Sequence, residues 1–255
     1  MLNEPLVKPK ERFKLIDTVR GFSFICMVFY HLLFDLVYIY NVKIPLFDSD
    51  IIKILQQMIV FSFVFISGIS VHFSRNKLKN GIIIFLCGLI LTLVTFVFIP
   101  SQFIAFGILH MLGLCGILTA LFYDKLIKIP PAAGIILSVL FFLITENISS
   151  GYISLLNFKL YLPKIFYDLK YSFPFGFYDS AFHSSDYYPL FPWAFIYFTG
   201  LYYWLFVKNF KIIYKINRLG IPVLNKAGEY TLIGYMLHQP VIYIILFMLN
   251  TLKII

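Results

Sequence analysis

A chain of 255 residues would ordinarily make one or two soluble domains, but with 60% hydrophobic and 13% charged residues it cannot: a soluble surface needs about a quarter of its residues charged. The mean hydropathy of +0.87 fits lipid as the solvent. The net charge of +9 does not point to nucleic acid, because fifteen of the 21 Lys and Arg fall in four segments, Lys8 to Arg20, Arg75 to Lys79, Lys125 to Lys128 and Lys208 to Lys226, which alternate with apolar runs as cytoplasmic loops do under the positive-inside rule.

The first 14 residues are polar and are expected to form a cytoplasmic tail, with residues 15–255 as a single transmembrane domain. Asp17 and Arg20 lie in the first apolar run, unlike the short uncharged core of a cleavable signal peptide. Runs of about 20 mostly apolar residues, the length that spans a bilayer, occur near 16–40, 51–73, 81–99, 103–122, 131–146, 188–207 and 230–249. Turn-forming residues break them: Pro45 and Asp48, Asn76 and Asn80, Pro100, Pro130 and Pro131, Pro222 and Gly228. The expected fold class is an all-α integral membrane protein, a bundle of about seven or more transmembrane helices, multi-pass in the cell membrane with its N-terminus cytoplasmic. The stretch 147–187 is aromatic yet punctuated by Lys159, Pro163, Lys164, Asp168, Lys170 and Pro174. A further span there would turn the Lys208–Lys226 loop outward, against the charge rule, so it is expected to be a re-entrant or lid segment at the interface. Cys26, Cys87 and Cys115 lie in apolar runs without CxxC spacing and read as small buried hydrophobes.

The first span, IDTVRGFSFICMVFYHLLFDLVYIY, carries the sharpest signal, since charges inside a membrane helix are costly and mark function. At about 100° per residue, Asp17, Arg20, His31 and Asp35 project within an arc of roughly 60°. Arg20 and His31 would then be joined by one polar stripe about 16 Å long. His31 can serve as a general base if a carboxylate such as Asp35 holds its tautomer, and Arg20 can hold a carboxylate or phosphate. The plainer reading is an end-of-helix Asp17–Arg20 pair and a His31 bonded within the bundle.

His110, mid-run in FGILHMLGL, is either a substrate contact or a bundle residue satisfied by its neighbours, and His238 with Gln239 before Pro240 in MLHQPV is either a substrate contact or part of a helix-kinking motif. His72 reads as an interfacial residue beside Ser74 and Arg75, and Ser67, Gly68 and Ser70 as small residues that let helices approach closely. In SSDYYPLFPW, residues 184–193, Asp186 and Tyr187 stand where an external loop meets a span. Asp186 would orient His31 or grip a polar acceptor, or else simply cap a Pro-initiated helix.

RGFSFICMVFYH is similar to the R-x10-H signature of membrane-bound acyltransferases. With IDTVRG, FVFISGISVHFSR at 63–75, FGILHMLGL at 106–114 and DYYPLFPW at 186–193, the chain resembles the bacterial branch of the heparan-α-glucosaminide N-acetyltransferase catalytic-domain family from about residue 12 to 207. HQPV matches a tail motif of related enzymes. The resemblance implies transfer of an acyl group, commonly acetyl, from cytoplasmic acetyl-CoA or another acyl-CoA to an amine or hydroxyl of a sugar or glycan on the far side, without a metal. It makes His31 the catalytic histidine and Arg20 the arginine of the CoA side. On the reading of the residues themselves, Asp17 and Arg75 are expected beside Arg20, Asp35 and Asp186 to join His31 in catalysis, and His110, Tyr187, His238 and Gln239 to contact substrate. The animal lysosomal enzyme has Asn in the place of His31, and full-length enzymes have more spans. Read without the resemblance, the same intramembrane Asp, Arg and His also suit a proton-coupled transporter or flippase, and three histidines suit a haem carrier.

Overall fold

The computed structural model describes residues 13–216 and 219–254, so the expected tail lies outside the described residues apart from Phe13 and Lys14. In chain order the elements are α1 (Lys14–Tyr38), α2 (Asp50–Ser70), α3 (Lys77–Phe98), α4 (Ile108–Leu126), α5 (Pro131–Thr145), β1 (Tyr152–Leu155), β2 (Phe158–Tyr161), α6 (Ile165–Asp168), α7 (Leu190–Val207), α8 (Lys211–Ile216), α9 (Pro222–Glu229) and α10 (Thr231–Thr251). Seven of these helices, α1 to α5, α7 and α10, are long and apolar enough to cross a membrane. The protein is an all-α membrane protein with a single two-stranded sheet among its described residues. Large apolar side chains stand exposed along the spans, among them Leu93, Phe96 and Phe98 on α3 and Leu237, Val241 and Ile244 on α10. Water would not tolerate so continuous an apolar surface; hydrocarbon does.

Side-chain chemistry moves two helix starts from where hydropathy puts them. α3 begins at Lys77, ahead of its apolar run, because Asn76 Oδ1 accepts the Lys79 N–H at 2.9 Å and caps the helix. α4 begins at Ile108 although the apolar run begins near 103. The intervening backbone is bonded elsewhere: the Ile104 N–H donates to Thr95 Oγ1 at 3.1 Å, the Ala105 N–H to Ser184 Oγ at 3.1 Å, and the Phe103 and Phe106 carbonyls accept from Ser185 and Tyr188. Between 147 and 187 the described chain forms the antiparallel β1–β2 hairpin, pairing Tyr152 with Tyr161, and the four-residue α6. None of it is a helix of spanning length.

The chain divides into two compact units with the boundary inside α2. The first takes the described residues up to Ile59 and from Phe210 onward. In it α1 packs on α9 and α10, with backbone against backbone at two glycines. A Cβ on Gly21 would overlap the Leu224 carbonyl, and one on Gly228 the Asp17 carbonyl. Thr18 donates to the Asn225 side chain and accepts the Ile221 N–H at 3.1 Å, fastening α9 across α1. The second unit is Val60–Asn209. Here α3 packs antiparallel on α4 and α5 on α7, again at small residues: Gly81 faces the backbone of Gly116 and Ile117, and Gly134 faces the Tyr202 ring. Val71, Leu201 and Tyr202 form a buried cluster there.

Candidate functional site

Three features of the first unit place its polar groups: the 3.6-residue period of α1, the close α1–α9 contact, and the alignment of α10 with α1. Asp17 and Asp35 are buried, the latter 1% exposed, while Arg20 and His31 are half-buried. Arg20 Nη1 lies 3.0 Å from Asp17 Oδ1, one turn earlier, and donates to the Gly228 carbonyl at 3.4 Å. The ion pair therefore also ties α1 to α9.

Farther along α1, the His31 ring faces His238 of α10, with ring centroids 4.9 Å apart and planes tilted by 56°. Tyr30 stands edge-on to His31 at 5.7 Å. His238 Nδ1 lies 2.6 Å from the Tyr235 carbonyl oxygen. A carbonyl only accepts, so Nδ1 carries the hydrogen, and in the neutral ring Nε2 keeps its lone pair. The His31 ring makes no hydrogen bond to another described residue. Asp35 follows His31 by one turn, but its carboxylate is held by α10: Gln239 Nε2 donates to Oδ1 at 3.1 Å and to Oδ2 at 3.2 Å. The amide, not an imidazole, is its bonded partner because Gln239 lies beside Asp35 and its N–H groups point at both oxygens. Gln239 Oε1 is buried and has no hydrogen-bond partner among the described residues.

The second unit gathers Asp186, His110 and Tyr187 at the start of α4. Asp186 Oδ2 accepts the Ile108 N–H at 3.1 Å. It thus meets one of the free amides at the N-terminus of α4, a helix that starts nearly eighty positions before it. Gly107 leaves room for it, since a Cβ there would overlap the carboxylate. His110 is 2% exposed; its Nδ1 accepts the Gly107 N–H at 3.1 Å, so the hydrogen is on Nε2, which faces Thr92 Oγ1 at 3.3 Å. Thr92 passes its own hydrogen to the Ile104 carbonyl at 2.7 Å. Both nitrogens of His110 are thus engaged by the protein itself. Tyr187 donates to the Phe173 carbonyl at 2.6 Å, and burial with Tyr178 nearby raises its phenol above the ordinary range.

Arg75 is exposed on the turn between α2 and α3. Nearby, Lys77 Nζ lies 4.3 Å from the centre of the Tyr123 ring. His72 donates through Nε2 to the Leu201 carbonyl and accepts the Tyr123 hydroxyl at Nδ1, both at 3.0 Å.

Sequence reasoning missed α9. Its Asn225 and Gly228 hold the Asp17–Arg20 end of α1, and Lys226 stands between them. The apolar-polar alternation of PVLNKAGE after Pro222 was the available signal, hidden inside what read as a basic loop. Thr92, the partner of His110, had none: eighteen positions separate them, and no period links them.

Among the described residues no three His, Cys, Asp or Glu side chains gather closely enough to hold a metal ion. Asp17–Arg20 offers a cationic edge, the imidazole pair offers a lone pair beside a fixed N–H, and Asp35–Gln239 offers acceptor oxygens. The model of the family described as heparan-alpha-glucosaminide N-acetyltransferase, catalytic, matches residues 12–240, which takes in the α1 stripe and extends through His238 and Gln239. Comparisons with curated proteins and with solved structures find no match.

Proposed function

The chain belongs to the heparan-alpha-glucosaminide N-acetyltransferase catalytic family, and from that premise we propose that it moves an acetyl or other acyl group from cytoplasmic acyl-CoA to an amine or hydroxyl of an extracytoplasmic sugar or glycan. Residues 15–255 act as one membrane-embedded acyltransferase domain in the cell membrane, N-terminus inside. The clustering of basic residues in alternate connections supports that orientation.

The observation that carries this reading is the imidazole pair on α1 and α10. The acceptor's N–H or O–H gives its proton to the pair, through His31 with His238 Nε2 as the adjoining base. The freed nucleophile adds to the thioester carbonyl, the C–S bond breaks, and the departing thiolate takes up the proton, leaving the acylated acceptor and free CoA. Tyr235 holds His238 in the tautomer that leaves Nε2 available. Asp35 supports the cation that forms on the pair, and Gln239 fixes Asp35 while offering Oε1 to the acceptor. Arg20, oriented by Asp17, meets the phosphates of CoA. Within the second unit, Asp186, His110 and Tyr187 hold the start of α4 and the loop beside it in place.

Proteoliposomes given labelled acetyl-CoA outside and glucosamine inside test this. Labelled N-acetylglucosamine should form, His31→Ala should lower the rate by about 10²–10⁴-fold, and His238→Asn should lower kcat with little change in KM for acetyl-CoA. Full activity in His31→Ala would overturn the mechanism. The same buried Asp35 beside two imidazoles also suits a proton-coupled transporter. That second reading requires unmodified glucosamine to cross the vesicle membrane with no label attached.

A further inference from the structure

The first unit carries an open cavity of about 560 Å³ that the acyl-transfer reading does not use. Phe24 of α1 lines it together with Lys226 and Ala227 of α9, Tyr230, and Ile233 and Gly234 of α10, with Val223 at its edge. Gly234 makes room for the Phe24 ring, which a Cβ would overlap. The cavity wall is almost wholly apolar, and among the described residues Lys226, itself exposed, is the one charged residue that lines it, through its hydrocarbon stem. Its ammonium has no hydrogen-bond or ion-pair partner among the described residues.

We propose that this groove binds one anionic phospholipid, an acyl chain against Phe24, Ile233 and Gly234 and the phosphate on Lys226. Three observations select that occupant. Its rim opens onto exposed apolar side chains, Val223 at 75%, Ile233 at 59% and Tyr230 at 56%. Ile233 and Tyr230 belong to the first turn of a span or stand directly before it, where a lipid chain is the neighbour at hand. An ionic site of one lysine beside apolar walls matches a single headgroup phosphate on a hydrocarbon tail. A CoA molecule, with its adenine, diphosphate and two amides, would need several donors and acceptors where this groove supplies one ammonium.

The groove is also held ready. On one side of Lys226, Asn225 bonds to Thr18; on the other, the Gly228 carbonyl accepts from Arg20. α9 cannot swing away from α1 without breaking both, so the Lys226 backbone stays beside the groove, and its flexible stem can carry the ammonium to a phosphate there. Lys226 itself spends none of its donors on that joint, which leaves all three for a phosphate.

The test measures lipid retention and does not depend on catalysis. Protein purified in mild detergent is titrated with phosphatidylglycerol or phosphatidylcholine of matched chains, and retained lipid is counted by native mass spectrometry. One phosphatidylglycerol should be held about fivefold more tightly than phosphatidylcholine, the preference expected of one lysine at an anionic surface. Lys226→Gln, an exposed change, should erase that preference while leaving the folded protein intact. In an Ile233→Trp variant, brominated phosphatidylglycerol should quench the added fluorescence more than brominated phosphatidylcholine. Equal retention of the two lipids by the unaltered protein would overturn the proposal. So would an unchanged preference in Lys226→Gln, or release of the bound phosphatidylglycerol by CoA, which would give the groove to the donor.

Discussion

Asp35 and Gln239 illustrate how much a single buried pair decides. An almost fully buried carboxylate has an amide as its hydrogen-bonded partner, and the amide's own oxygen is left without one. Removing one member of such a pair exposes the other to the full cost of desolvation, whereas removing both by apolar groups of similar shape is close to neutral. Asp35→Leu is therefore expected to cost about 1–3 kcal/mol by stranding the Gln239 N–H groups. Asp35→Leu with Gln239→Leu should recover most of that loss, read as thermal unfolding in detergent for the two single variants and the double. A double variant whose loss equals the sum of the two single losses would show that the pair is not coupled. The same reasoning about donors explains the histidines. Each of His72, His110 and His238 has one nitrogen whose role is forced by a backbone group that can only accept or only donate. Of these, His238 alone keeps its second nitrogen outside any hydrogen bond to a described residue.

At the scale of elements, helix ends and helix contacts are set by small numbers of polar atoms and by absent Cβ atoms. The start of α4 depends on Asp186 and His110, which take the N–H groups of Ile108 and Gly107 that no earlier helical turn can satisfy. Asp186→Ala should destabilise the protein by about 0.5–2 kcal/mol, as loss of an N-terminal cap does, and amide exchange should speed up at Ile108 before it does in the middle of α4. Slower or unchanged exchange there would remove Asp186 from that role. The α1–α9 contact is of the other kind. Gly21→Ala and Gly228→Ala each place a methyl on a carbonyl of the facing backbone, and nothing in the neighbourhood is a flexible side chain that could give way. Overpacking of that sort typically costs 1–3 kcal/mol. The Arg20–Gly228 bond should loosen with it, so both variants should melt earlier than Ala227→Gly, one position away, which costs only helix propensity, about 0.5–1 kcal/mol.

The whole molecule is governed by its solvent. Seven helices turn large apolar side chains outward, and basic residues collect where α2 gives way to α3, where α4 gives way to α5 and after α7. If that arrangement follows the positive-inside rule, a cysteine at Arg75 should react with a membrane-impermeant maleimide only after cells are opened, and one at Leu156, on the tip of the β1–β2 hairpin, in intact cells. The reverse pattern would invert the proposed orientation. Much of this was legible in the chain itself. Hydropathy is a sum over neighbouring residues, so the seven spans and the class of fold follow from local composition; the 3.6-residue period of one helix likewise puts Asp17, Arg20, His31 and Asp35 on one side of α1. The partners across from them are another matter. That His31 meets His238, that Asp35 bonds Gln239 more than two hundred positions away, that Asp186 reaches the start of α4, and that α9 clasps Arg20 are all choices made between segments distant in sequence. No periodicity encodes them, because they depend on which helices lie side by side and at what height, and only packing settles that.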